Sequence, residues 1–264
     1  MTHLSPSTAY WDGVMAEWAD ARDALWRRHS DAVNAALLRR WLPAGAGRVL
    51  KTDLFDEAVS GGLARGIAGA GGYRVFGIDV ALGVAAAARE AAGVSLRVGV
   101  ADVRHLPFAA GAFDAVVSLS TLDHFDSTGD ISTALSDLRR VLRPGGTLIL
   151  TLDNPLNPAV GLRNRLPSRL LVRAGVTPYR TGRTVGPRRL LSLVTAAGFT
   201  VRETTAVLHV PRLPAVRLCR RAQRRGGADA PARLLRRLLA FERLASWPTR
   251  FLTGHFIAVR AAAS

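Results

Sequence analysis

The chain of 264 residues contains one cysteine, Cys219, and one lysine, Lys51. A single thiol excludes an intrachain disulfide and suits a reducing compartment. No apolar run reaches the roughly 18 residues that a membrane-spanning helix needs. Met1 to Tyr10 lacks the basic start and apolar stretch of a secretory signal, so the expected location is the cytoplasm. Aromatic residues make up only 6% and are not interleaved with the basic ones, which argues against a base-stacking platform for nucleic acid. The expected first strand is not followed by a Gly-x-Gly-x-x-Gly turn, which argues against a dinucleotide-dependent dehydrogenase. His3, His29, His105, His209 and His255 show no metal-ligand spacing, and no Ser/His/Asp order stands out. What is present is apolar bulk: 48% hydrophobic residues, enough for one domain with a real core.

Charge is unevenly spread. The net +16 comes from 36 basic and 20 acidic residues. Residues 1–153 are close to neutral, with 15 basic and 17 acidic side chains. Residues 154–264 carry 21 arginines against Glu203, Asp229 and Glu242. A cationic second half points to an anionic partner, a phosphate or a membrane surface, or else to a solvated arginine face.

Periodicity orders the chain into alternating strands and helices. Residues 8–42 have helical spacing and end at Pro43-Ala44-Gly45-Ala46-Gly47, giving an N-terminal helical cap over 1–47. Strands are expected over Arg48–Phe55, Arg74–Ile78, Ser95–Val100, Phe113–Ser120 and Thr147–Leu152. Helices are expected over Gly62–Ala70, Leu82–Ala92 and Ile131–Leu142. Short apolar strands separated by helices imply a doubly wound α/β sheet, mostly parallel and covered on both faces. A helix over Pro187–Gly198 leads to strands Phe199–Val210 and Phe251–Arg260, which are expected to pair antiparallel at the sheet edge. The stretches 154–186 and 211–250 then read as lid insertions into a single domain over 1–264.

In such a sheet ligands sit at the carboxyl ends of the strands. Asp79 closes Val75-Phe76-Gly77-Ile78, where a carboxylate can accept bonds from a ribose diol. Asp102 follows Val98-Gly99-Val100-Ala101, where a carboxylate can meet an adenine amino group. From Asp102 the chain runs through Leu106-Pro107-Phe108 and Phe113-Asp114-Ala115-Val116-Val117-Ser118, then Leu138-Arg139-Arg140-Val141-Leu142-Arg143-Pro144-Gly145-Gly146. These runs, in this order over about 48–153, resemble the small-molecule branch of the class I S-adenosylmethionine-dependent methyltransferases. The resemblance implies a seven-stranded Rossmann-like sheet, S-adenosyl-L-methionine as cofactor, and methyl transfer to a small acceptor. It places Asp79 and Val80 at the ribose, Asp102 and Val103 at the adenine, and Ser118 beside the cofactor. It makes Tyr10 an aromatic cap. It puts His124 and Asp123 where an acceptor's proton is taken as the methyl arrives. Ser118–Thr121 lacks the Asn/Asp-Pro-Pro-aromatic run of base-nitrogen methyltransferases, so nucleic acid is not the expected acceptor.

The departure is the first loop. The resembled family has an acid and a Gly-x-Gly-x-Gly turn there, since glycine lets the backbone approach the methionine part of the cofactor. A match started at Val49-Leu50 puts Asp53, Phe55 and Glu57 on the glycine positions. Counting back from Asp79 instead puts Asp56 at the acid and Ala58, Ser60 and Gly62 on the glycines, all small, and this is the expectation adopted. Lys51, Asp53, Asp56 and Glu57 form either a buried pair of Lys51 with Asp53 or Asp56, or an acidic cluster able to hold a divalent cation. The altered loop keeps open an alternative function: a methyltransferase fold that does not methylate, as a cyclase, isomerase or ligand-binding protein. Leucines among the arginines of 211–250 suit a lid or a peripheral membrane contact, and in both cases a lipid-like or anionic acceptor.

Overall fold

Each strand segment alternates two sets of apolar side chains, so the sheet they form must be covered on both faces. The computed structural model describes residues 8–18, 23–45, 47–69, 72–173, 182–225, 227 and 229–264. The strands are β1 (Arg48–Lys51), β2 (Arg74–Asp79), β3 (Leu96–Val100), β4 (Phe113–Leu119), β5 (Leu142–Asp153), β6 (Phe199–Val207) and β7 (Phe256–Ala263). They form one seven-stranded sheet in the order β3-β2-β1-β4-β5-β7-β6. The first five run parallel, and β7 lies antiparallel between β5 and β6. From β1 the chain steps outward to β2 and β3 on one side and returns to β4 on the other. The crevice between β1 and β4 is therefore the switch point.

The helices are α1 (Thr8–Trp18), α2 (Ala24–Trp41), α3 (Phe55–Ser60), α4 (Ala64–Gly69), α5 (Leu82–Ala92), α6 (Thr128–Val141), α7 (Pro158–Arg163), α8 (Ser168–Arg173), α9 (Pro187–Ala196), α10 (Arg212–Arg225), α11 (Ala230–Leu239) and α12 (Arg250–Thr253). Val49, Val75, Ala115, Val117 and Ile149 point to one face, with Leu37 and Trp41 of α2 and Val84 of α5. Leu50, Ile78, Val116, Leu148 and Leu150 point to the other, with Ile131 and Leu138 of α6 and Leu190 of α9. Each such side chain taken fully from water contributes about 1.5–3 kcal/mol, so these two layers hold the sheet. α10 and α11 bury Ala215, Cys219 and Leu238 in the α2 layer. Their arginines Arg217, Arg221, Arg233 and Arg236 are exposed.

Several boundaries differ from expectation, among them the start of β5, which is Leu142 rather than Thr147, and of α6, which is Thr128 rather than Ile131. The single helix over 8–42 is two helices, α1 and α2, and residues 19–22 between them lie outside the described set. β1 ends at Lys51, not Phe55. Asp53 Oδ1 accepts the Phe55 N–H at 3.0 Å, and Asp56 and Glu57 favour the first turn of a helix there. β6 ends at Val207 rather than Val210. β7 begins at Phe256, after the short α12, rather than at Phe251.

Candidate active site

The carboxyl ends of β1, β2, β3 and β4 open into a solvent-facing cleft. Asp79 and Val80 follow from β2, Asp102 and Val103 from β3, and His124 from the turn after β4. These five sequence candidates thus meet in one place. Asp79 is buried, 7% exposed. Its Oδ1 accepts the Ala81 N–H at 2.9 Å and its Oδ2 the Leu54 N–H at 3.1 Å. Each oxygen keeps a second lone pair for a guest. Burial pushes the Asp79 carboxyl above its ordinary range against those two backbone bonds. Asp102 is held by its neighbour: Arg104 donates from Nε to Oδ1 and Oδ2 at 3.1 Å and from Nη2 to Oδ2 at 2.6 Å. Burial would raise its pKa, but these bonds outweigh it and hold the carboxyl below its ordinary value. Arg104 in turn bonds Asp130 at 2.8 Å and lies over the Phe125 ring, so this corner is rigid.

The first loop is built differently from the expectation. Thr52, Asp53 and Phe55 face the cleft, while Asp56, Ala58, Ser60 and Gly62 do not. Because β1 stops at Lys51, residues 52–55 occupy the mouth, and α3 carries 58–60 away. Ser60 is exposed and bonds the Asp56 carbonyl at 3.0 Å and Asp31 at 3.3 Å. Gly62 is small for another reason: its φ is +51°, and a Cβ there would run into the Glu57 carboxyl group. Of this segment, Thr52, Asp53 and Phe55 line the cleft, and Glu57 lies within α3, turned away from it. Lys51 finds neither Asp53 nor Asp56 as its main partner. Its Nζ lies 2.7 Å from Glu57 Oε2 and also donates to the Asp53 carbonyl. Glu57 Oε1 accepts the Leu63 and Ala64 N–H groups at 2.9 and 3.2 Å. With Glu57 so engaged, the acids of this segment make no cation site; among the described residues, no group of three or more metal-ligating side chains comes together.

Three further candidates are displaced. Tyr10 is not in the cleft wall; Trp11 is, edge-on to Tyr10 at 5.2 Å and to His124 at 4.7 Å. A one-residue shift on a helix turns a side chain by about a quarter turn, which spacing alone could not resolve. Ser118 is fully buried and accepts from Thr52 Oγ1 at 2.9 Å, tying β4 to the loop after β1. Asp123 is buried behind the cleft, where its Oδ2 accepts from Ser120 Oγ at 2.9 Å and from the Asp153 N–H at 3.1 Å.

A second cavity, open to solvent, lies on the other side of Phe55, which lines both. Trp26, Leu119, Leu208 and Phe256 give it apolar walls; Arg27, Arg212, Asp31, Asp56 and His255 give it charge or proton capacity. Burial, together with the neighbouring Asp56, pushes the Asp31 carboxyl up to about 7. Burial, only partly offset by Lys51, raises Asp56 to about 6. Sequence reasoning missed this cavity, because its walls come from α2, α10 and the β7 end, far apart in the chain. Residues 39–150 match a methyltransferase-domain family model. Over those residues the chain matches the methyltransferase domain that the sequence resemblance implied. A demethylmenaquinone methyltransferase of Thermus thermophilus is 36% identical over 147 residues, which is 50% of this chain and 66% of that protein, just under two thirds of its length. A solved S-adenosylmethionine-dependent methyltransferase of Mesorhizobium loti superposes with a TM-score of 0.60 at 19% identity, covering 89% of this chain and 99% of that one. Geranyl diphosphate C-methyltransferase of Streptomyces coelicolor, solved with Mg2+, geranyl diphosphate and S-adenosyl-L-homocysteine, superposes at 0.57 with 15% identity, covering 88% and 79%. At these identities the two structures show the shared methyltransferase fold.

Proposed function

We propose that the protein transfers a methyl group from S-adenosyl-L-methionine to a small acceptor with an apolar body and a phosphate or other anionic group. The observation that carries this is the pair of cavities meeting at Phe55 on the carboxyl edge of a methyltransferase sheet. The first fits the nucleoside of the donor. Asp79 offers free lone pairs to the ribose hydroxyls, Val80 and Val103 flank the base, and Trp11 covers it in the role expected of Tyr10. Asp102, already held by Arg104, supports the adenine side as a fixed wall. Asp53 and Phe55 line the mouth of this cleft, so the methionine part runs past bulkier side chains than glycine. When bound, the donor supplies an electrophilic methyl carbon. His124 beside Trp11 belongs to this first cleft, not to the acceptor cavity, and orients donor groups there.

The second cavity suits the acceptor. Its aromatic and aliphatic walls take an apolar body, and Arg27 and Arg212 take negative charge. The Thermus relative is named for demethylmenaquinone and the Streptomyces structure for geranyl diphosphate; both names fit an apolar body, and the second also fits an anionic group. The family match favours methyl transfer over a fold that has ceased to methylate. Incubation with the methyl donor and three acceptors (geranyl diphosphate, geraniol and a short polar amine), read by mass spectrometry, tests the class. Methylation of geranyl diphosphate in preference to geraniol supports it, and methylation of geraniol alone removes the anionic group from the proposal. Methylation of the amine alone contradicts it.

A further inference from the structure

Two strand ends meet beside the second cavity. Asp153 closes β5, and His255 stands just before β7. The antiparallel register sets Asp153 opposite Phe256, and the Asn154 N–H donates to the His255 carbonyl at 2.8 Å. His255 Nε2 consequently lies 3.4 Å from Asp153 Oδ1. The other carboxylate oxygen of Asp153 is engaged by Arg163 of α7, and its backbone N–H by Asp123. The carboxylate is thus held between Arg163 and His255, with the Asp153 backbone pinned by Asp123, and the imidazole lines the cavity, edge-on to Phe256 at 4.8 Å.

We propose that His255, oriented by Asp153, is the general base that takes the proton from an acceptor O–H or N–H in the second cavity. This rests on the methyl-transfer reading above. An ionised carboxylate only accepts hydrogen bonds, so Nε2 carries the ring hydrogen and Nδ1 keeps its lone pair. As the acceptor heteroatom bonds to the methyl carbon, its proton passes to Nδ1. The carbon–sulfur electron pair stays on sulfur, and the donor's positive charge ends on the imidazolium beside Asp153.

The electrostatics favour a neutral ring ready to act. Burial lowers the His255 pKa below its ordinary 6.5; Asp153 opposes this, while Arg212 of α10 and Arg163 add to it. Burial would raise Asp153, but His255 and Arg163 outweigh it and bring the carboxyl down to about 2, so it stays ionised. Arg27 and Asp31 from α2 and Asp56 from α3 face the same cavity. Asp31 is the rival base, since its raised pKa suits proton transfer.

Carbethoxylation by diethyl pyrocarbonate, followed by peptide mass spectrometry, decides between them, because only a neutral and reachable imidazole lone pair reacts. In the folded wild type, His255 should react at pH 7 at a rate comparable to exposed His105, with its pH midpoint below 6.5. Long-range 1H–15N correlation should show the Nε2–H tautomer, and Asp153→Asn should mix the tautomers. His255→Gln assigns the signals. An unreactive His255 beside a reactive His105, or an Nδ1–H ring in wild type, overturns the proposal whether or not Asp153→Asn folds, and leaves Asp31 as the base. Calorimetry with S-adenosyl-L-methionine, run in parallel, tests the parent reading by itself: absent binding with a reactive His255 would refute that reading and not the geometry of the base.

Discussion

Lys51 shows how a single position reshapes the site. It ends a central strand, is 2% exposed, and its charge is matched by Glu57, which is fully buried. Removing one partner of such a pair strands the other charge, at about 3–5 kcal/mol. Lys51→Met should lower the unfolding free energy by that amount in urea titration, and adding Glu57→Gln should recover most of it. A single variant as stable as wild type would show that the pair does not hold the loop. Asp31 carries a pH signature. Its folded pKa of about 7 lies above its ordinary 3.8, so the folded state binds the proton more tightly. Its contribution is full below about pH 4 and is lost as pH rises through 7. Asp31→Asn should remove that part of the decline, so the variant should gain stability relative to wild type between pH 5 and 8. Parallel stability curves across that range would contradict the assigned shift.

At the scale of elements, much was legible before any coordinates. The strands from Arg74 to Leu152 and the helices between them follow from apolar runs punctuated by glycine and proline. The carboxylates at Asp79 and Asp102 followed from strand ends. The first loop was not legible in the adopted form, because small side chains at Ala58, Ser60 and Gly62 invited a count that fitted spacing alone. What decides the loop is the reach of Lys51 to Glu57 and the cap of Asp53 on Phe55, both set by side-chain geometry. The dyad of Asp153 and His255 had a readable signal: a carboxylate at the end of β5 must meet the start of an antiparallel neighbour. Exposed Ser60 lies on α3 away from the cleft, so Ser60→Leu should leave donor affinity unchanged by calorimetry. Loss of binding in that variant would restore the count back from Asp79.

At the scale of the molecule, the cationic second half lies apart from the donor cleft. α10 displays Leu213 and Leu218 beside Arg217 and Arg221, and Trp247 is 58% exposed. Among the described residues no helix is long and apolar enough to cross a membrane. A surface contact of leucines and arginines with anionic lipid is a separate matter. Co-sedimentation with phosphatidylglycerol vesicles, absent with phosphatidylcholine and lost at high salt, is the expected outcome, since screening acts over about 8 Å at physiological ionic strength. Equal binding to both vesicle types would make the contact apolar rather than electrostatic, and no binding would leave α10 and α11 as helices packed on α2. The proposed donor site is the cleft at Asp79, despite its side-chain-filled first loop. Isothermal calorimetry of S-adenosyl-L-methionine against wild type and Asp79→Asn tests it directly. Binding by the wild type and a roughly tenfold to hundredfold weaker variant are expected, the worth of a hydrogen bond to a charged group. No binding by the wild type, or equal affinity in a folded Asp79→Asn protein, would contradict it.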